Sequence, residues 1–311
     1  MIDLIGDIHG HADELEMLLK KLGYTKEHKF YSHPNPDRKV LFVGDYIDRG
    51  PKNRETLEIV KHMVDNGTAI ALMGNHEYNA LCFHLKDANG EYLREHSEKN
   101  TQQHIKTIEH FKDRPEEFKM YLEWFKTLPL FYETETFRAV HACWDYDSID
   151  YLKNNLENNK LTDALIRESE TEKGALYRAI ENTLKGKEIT IPGEGFLDKY
   201  KHRRNEMRFK WWEDLKNKTY KEMSVQEIKN LPNIKIDSTS IKDNNYYKKD
   251  DKMVFFGHYW LEFKDGEEPT VFRDNICCLD YSVAKEGHLV AYTLNDELTL
   301  DKENFTYVKK A

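Results

Sequence analysis

The chain has 311 residues, 33% of them charged and 12% aromatic, with a formal net charge of −9. That length supports a sizeable core and excludes a small stapled module. The composition excludes wholesale disorder, and the acidic balance disfavours general nucleic-acid binding, whose affinity comes from neutralising phosphates. Four cysteines, Cys82, Cys143, Cys277 and Cys278, form no CxxC pair and read as reduced core residues. No window of about 18 apolar residues offers a membrane span. Met1 runs directly into Ile2-Asp3-Leu4-Ile5 without a signal-peptide pattern, so a cytoplasmic location is expected.

Apolar runs at Ile2 to Ile5, Val40 to Val43 and Ala69 to Met73 predict three strands, each followed by a Gly-Asp or Gly-Asn pair. Between them Leu15, Leu18, Leu19 and Leu22 recur at helical spacing before Gly23, and Leu57, Ile59, Val60, Met63 and Val64 before Gly67. This alternation predicts an α/β layered fold. A fourth strand, Phe137 to Val140, ends at His141, and a fifth, Met253 to Phe256, ends at Gly257-His258. Ile276 to Val283 and His288 to Asn295 predict an antiparallel pair around Gly287 that completes a second sheet.

Between Asp145 and about Asp251 the chain turns polar and rich in Lys and Asn, with Ala175, Leu176, Ala179, Ile180 and Leu184 at helical spacing. Residues 145–251 are expected to form a largely helical insertion capping the site, within a single domain of residues 1–311, because they show no apolar core of their own. The run Lys199 to Lys210 carries six basic residues against Glu206 and precedes Trp211-Trp212. Its default reading is a solvated helix face, and its functional reading a second phosphate clamp.

A strand ending in Gly-Asp delivers its aspartate to the carboxyl edge of the sheet, where open α/β folds place ligands. Asp7 and His9, in GDIHG, stand two apart after the first strand, so a carboxylate and an imidazole can share one cation. GDYIDRGP, Gly44 to Pro51, adds Asp45 and then Asp48 and Arg49; GNHE, Gly74 to Glu77, adds Asn75 and His76. Each string alone is weak, and His141 or His258 alone reads as an ordinary strand-end histidine. Five in order at five predicted strand ends are hard to explain as turn chemistry.

In these strings the sequence resembles the calcineurin-like metallophosphoesterases, in the branch shared by serine/threonine protein phosphatases and diadenosine tetraphosphatase-like enzymes. The resemblance is close over the first 80 residues and returns at Val140-His141-Ala142 and Phe256-Gly257-His258-Tyr259. It implies a two-sheet α/β sandwich flanked by helices and a hydrolase with two divalent cations, manganese favoured over iron or zinc. It makes Asp7 and His9 ligands of the first metal, Asp45 the bridge, and Asn75, His141 and His258 ligands of the second. A hydroxide between the metals would attack phosphorus, with His76 as general acid oriented by Asp48 and Arg49 gripping the phosphoryl oxygens. Related phosphatases supply another arginine from the insertion, for which Arg208 is the first choice and Arg204 the second.

One departure is Trp260, where many relatives carry a second histidine that completes the first metal; water is expected to fill that place. The implied substrate is a phosphate monoester, in a small molecule, nucleotide or phosphoprotein, with a dinucleoside polyphosphate as the alternative. A catalytically inactive binding protein would show gaps in the ligand set, and this sequence has none. His11, His62, His84 and His104 lie outside the motifs and read as surface or core residues.

Overall fold

The computed structural model describes every residue except 198–202, 227, 229–230, 238–244, 265 and 311. Two sheets form its centre. In the first, Ile2–Ile5 lies parallel to Lys39–Phe42, which lies parallel to Ala69–Ala71, with Ile5 level with Phe42 and Phe42 with Ala71. On its other side Ile2–Ile5 pairs antiparallel with His288–Leu294, which in turn pairs with Asp280–Tyr281 and Phe305–Lys309. The second sheet runs Ile276–Cys278, Met253–Phe256, Phe137–Val140, Phe131–Glu133, parallel except for its last pair.

Side-chain alternation along these strands splits the core in two. Leu4 and Leu41 point between the sheets, where they join Leu72, Phe137, Ala139, Met253, Phe255 and Cys277 in a buried layer. Ile5 and Phe42 point the other way and pack with Leu15, Leu18 and Leu19 of helix Ala12–Lys21 and Leu57 and Val60 of helix Asn53–Asp65. Both helices end on the glycines expected of them, Gly23 and Gly67, with φ of +91° and +70°. The fold is the two-sheet α/β sandwich expected from the sequence.

Two elements differ from expectation. Ile276 to Val283 is not one strand of an antiparallel pair. Ile276–Cys278 closes the second sheet, and after Leu279 the chain crosses to the first sheet as Asp280–Tyr281. The crossing explains why an unbroken apolar run reads as a single strand: Cys277 and Leu279 both face the layer between the sheets, so nothing in the side-chain pattern marks the change of partner.

The insertion also divides. Helices Tyr146–Asn155, Asp163–Glu172 and Ala175–Lys185 fill its first part, while short strand pairs, Glu188–Thr190 with Glu206–Arg208 and Phe196–Leu197 with Arg203–Arg204, follow. The described part of the basic run is therefore strand, not a helix face; Lys199 and the three residues after it lie outside the described residues. Trp211 and Trp212, only 2% and 1% exposed, anchor this segment to the outer side of the second sheet. Trp211 Nε1 donates to Ala142 O at 3.1 Å, and Trp212 stacks on Phe272 with centroids 4.8 Å apart. The insertion's apolar side chains join the same core as helices Ala12–Lys21 and Asn53–Asp65.

Candidate metal centre

Because the three strands of the first sheet that precede the motifs are parallel, Asp7, Asp45 and Asn75 emerge at one edge. The parallel strands Phe137–Val140 and Met253–Phe256 bring His141 and His258 to meet them. Backbone contacts tie the ends together: His9 N donates to Asp45 O at 2.8 Å, Gly257 N to His141 O at 2.8 Å, and His258 N to Asp7 Oδ2 at 3.0 Å. Two glycines are required by close approach. A Cβ on Gly257 would stand 1.9 Å from Asp7 Oδ1, and one on Gly74 2.2 Å from Asp45 N. His9, Asp45, Asp48, His258 and Trp260 all adopt positive φ, from 50° to 91°. Such conformations are disfavoured for non-glycine residues and gather where a site over-determines the backbone.

Among the described residues, two groups of side chains could hold a cation: His9, Asp45 and His76, and Asp45, His141 and His258, with ligand atoms of each group within 4.8 Å of one another. Asp45 belongs to both. Its Oδ1 lies 3.4 Å from His141 Nε2, and its Oδ2 lies 3.6 Å from His9 Nε2 and 4.0 Å from His76 Nε2. Asn75 Oδ1 is 3.1 Å from His141 Nε2. Asp7 flanks the first group, its Oδ2 4.0 Å from His9 Nε2.

The donor set fits divalent cations on three counts. Asp7 Oδ1, His9 Nε2 and His258 Nε2 are buried with no hydrogen-bond partner, a state costing about 1 to 3 kcal/mol per atom unless something binds there. Nδ1 of His9 lies 3.0 Å from Ile47 O and Nδ1 of His141 2.9 Å from Val43 O, contacts that fix the tautomer leaving Nε2 a lone pair for a metal. Finally, burial pushes His9 down to about 3, so its imidazole is neutral at pH 7. Burial favours the protonated form of Asp45, but His141 and His76 beside it outweigh that and hold it ionised.

His76 is arranged differently from the other imidazoles. Its Nδ1 donates to Asp48 Oδ2 at 2.6 Å rather than to a carbonyl, and its backbone N–H donates to Asp45 Oδ1 at 2.9 Å. Burial works against a proton on this ring, but Asp45 and Asp48 overcome it and raise its pKa. Asp45 raises the pKa of His141 in the same way, so it is the contact with Asp48 that sets His76 apart.

Arg49 is exposed at the mouth, its guanidinium 5.7 Å from the centre of the Trp260 ring. Trp260 lies nearly parallel to His9, ring centroids 5.2 Å apart. Arg208 stands on strand Glu206–Arg208, its Nε buried, without a hydrogen bond and 3.7 Å from Glu188 Oε1. Its charge is near enough to His258 to reinforce burial in lowering that histidine's pKa. Arg204 is exposed, on strand Arg203–Arg204, which pairs with Phe196–Leu197.

Sequence reasoning gave Glu77 no role, although it closes the GNHE string. It is fully buried; its Oε2 accepts from Asp45 N at 2.9 Å and Gly74 N at 3.0 Å, and its Oε1 from Tyr46 N at 2.8 Å. Glu77 thus fixes the backbone that aims Asp45. Its signal was a carboxylate three residues into a helix that starts at Gly74, the reciprocal-cap position. Glu77→Leu should strand three buried N–H groups and destabilise the metal-free chain by about 3 kcal/mol or more. Urea unfolding of the two proteins would check this.

A two-sheet α/β sandwich with carboxylate and imidazole groups gathered at its carboxyl edge is built to hold divalent cations. The calcineurin-like phosphoesterase family model matches residues 1–178, and the chain belongs to that family. The asymmetrical bis(5'-nucleosyl)-tetraphosphatase PrpE of Halalkalibacterium halodurans is 49% identical over 74 residues, which are 24% of this chain and 30% of that protein. The enzyme of the same name from Bacillus velezensis is 33% identical over 129 residues, 42% of this chain and half of that protein. The chain thus matches half or less of the length of these relatives. A solved serine/threonine phosphatase from Saccharomyces cerevisiae aligns with 99% of this chain and 79% of its own, at 15% identity and a TM-score of 0.45. No helix among the described residues is long and apolar enough to cross a membrane.

Proposed function

We propose that this chain hydrolyses a phosphate monoester with the help of two divalent cations, manganese first among the candidates and iron or zinc after it. The observation that carries the proposal is the set of unpaired buried atoms on Asp7, His9 and His258 beside a carboxylate, Asp45, common to both candidate groups. In this reading Asp7, His9 and Asp45 hold one cation, and Asp45, Asn75, His141 and His258 the other. When bound, such ions polarise the phosphoryl oxygens and lower the pKa of an attacking water.

The chain's own residues do the rest. His76, its Nδ1 held by Asp48, turns Nε2 toward Asp45 and is placed to protonate a leaving oxygen. Arg49 at the mouth and Arg208 from the insertion grip phosphoryl oxygens, a planar two-pronged task that suits guanidinium. Residues 145–251 act as a cap within one domain of residues 1–311, so substrate choice resides largely there. The protein works in the cytoplasm on a phosphorylated small molecule, nucleotide or phosphoprotein.

One observation favours a second reading. The PrpE relatives are named as tetraphosphatases, which points to a dinucleoside polyphosphate. Purified protein with manganese should be offered p-nitrophenyl phosphate, a phosphoserine peptide and diadenosine tetraphosphate. Metal-dependent phosphate release from a monoester supports the first reading, and cleavage of diadenosine tetraphosphate alone the second. Failure on all three with metals bound counts against both.

The insertion's role is tested separately. Arg208→Ala should weaken competitive inhibition by free phosphate by about 1.5 to 3 kcal/mol, the worth of a charge-assisted hydrogen bond, with metal content unchanged. Arg204→Ala, at an exposed position, should change little. If Arg208→Ala inhibits like wild type, the clamp role passes from it.

A further inference from the structure

The arrangement behind His76 extends further than the sequence motifs. Asp48 is buried, and both of its carboxylate oxygens are claimed. Oδ2 faces His76 Nδ1, while Oδ1 accepts from His104 Nδ1 and from Thr107 Oγ1, each contact at 2.6 Å. His104 and Thr107 lie one turn apart on helix Glu98–Phe111 and are themselves buried, 4% and 0% exposed. The backbone is fixed as well: Asp48 N donates to Asn53 Oδ1 at 2.9 Å, with Asp48 at a φ of 91°.

Burial opposes ionisation of Asp48, but His104 and His76 beside it overcome that and hold its carboxyl below the usual carboxylate range. An ionised carboxylate only accepts, so both facing Nδ1 atoms carry hydrogen. His104 Nε2 then meets His84 Nε2 at 3.2 Å, and Phe83 and Phe118 pack around the His104 ring. This side of Asp48 is thus a rigid wall of donors on a helix.

We propose that His104 and Thr107 are positioning residues for the reaction, holding the Asp48 carboxylate in the one orientation that presents His76 to the leaving group. The proposal rests on the reading of His76 as the acid. A carboxylate with a single partner can rotate and carry that partner with it. With donors on both oxygens it cannot. The precision matters because displacement of an acid by even about 1 Å can cost two orders of magnitude in rate.

A packing role alone would lower stability or activity without regard to the leaving group, whereas a positioning role is felt where protonation limits the reaction. The test is steady-state kinetics on an alkyl phosphate and on p-nitrophenyl phosphate, with bound manganese counted, in His104→Leu, His104→Asn and Thr107→Val. In His104→Leu, kcat on the alkyl phosphate should fall about tenfold with KM within about twofold, while the aryl substrate loses less than about threefold. Metal content should be unchanged. His104→Asn, whose amide N–H can stand near the lost Nδ1–H, should recover most of the loss. Thr107→Val, nearly isosteric, should show a smaller loss with the same substrate pattern.

Equal losses on both substrates, or no loss in either folded variant, would overturn the proposal. If His104→Leu does not fold, the same two patterns decide the matter in Thr107→Val. A His76→Asn protein that loses the two activities equally would instead remove the acid role of His76 itself, an outcome distinct from silent His104 and Thr107 variants.

Discussion

In Asp45→Asn, turnover should fall by at least about a hundredfold and the chain should lose at least one bound ion. The expectation follows from position. Asp45 alone belongs to both candidate groups, with Oδ1 3.4 Å from His141 Nε2 and Oδ2 3.6 Å from His9 Nε2. An amide keeps the shape and one neutral oxygen but removes the charge on which both cations depend. The backbone should tolerate the change, since the hydrogen bonds from His76 N to Oδ1 and from Asp45 N to Glu77 can both persist. Loss of activity should therefore come with an unchanged unfolding midpoint for the metal-free chain. Elemental analysis beside kinetics separates the cases: full metal content with full activity would remove Asp45 from the centre.

The second large effect concerns His76. Geometry alone groups its Nε2 with His9 and Asp45 as a possible ligand. In the proposed reading it is instead the proton donor, its ring oriented by the 2.6 Å contact with Asp48. His76→Asn should keep the metals while kcat on an alkyl phosphate falls by about 10² to 10⁴, the usual worth of general acid catalysis. p-Nitrophenolate departs with little need of a proton, so its loss should be much smaller. Equal losses with an ion missing would make His76 a ligand.

Much of this arrangement is legible in the sequence because it is local. Each strand that carries a site residue is a short apolar run punctuated by glycine or histidine, and parallel pairing then places Asp7, Asp45 and Asn75 at one edge without further information. His141 and His258 follow the same rule in the second sheet. What is not legible depends on partners distant in sequence. His104 meets Asp48 across 56 positions, and Glu77 meets Asp45 across 32. For His104 a faint signal exists: with Thr107 and Phe111 it forms the buried stripe of its helix, and polar residues at core positions imply a buried partner. The strands of the insertion escape for another reason. Their pairs are two or three residues long, held by packing of Met207, Phe209, Trp211 and Trp212 rather than by any alternation of their own.

Where the resemblance implies a histidine, the chain has Trp260, an indole stacked on His9, with Lys285 Nζ 3.4 Å and the Arg49 guanidinium 5.7 Å from its ring centre. Its backbone N–H donates to Asp280 Oδ2 at 2.6 Å. The ring holds His9 in place without offering a donor to a cation.

Two cations bound at this edge are proposed to make the chain a hydrolase. Protein stripped of metal should be titrated with manganese while bound ions and hydrolysis of p-nitrophenyl phosphate are measured on the same samples. No turnover is expected without metal, with two ions per chain at saturation and activity that rises as the second is taken up. Full activity in stripped protein, or saturation at a single ion with full activity, would contradict the proposal.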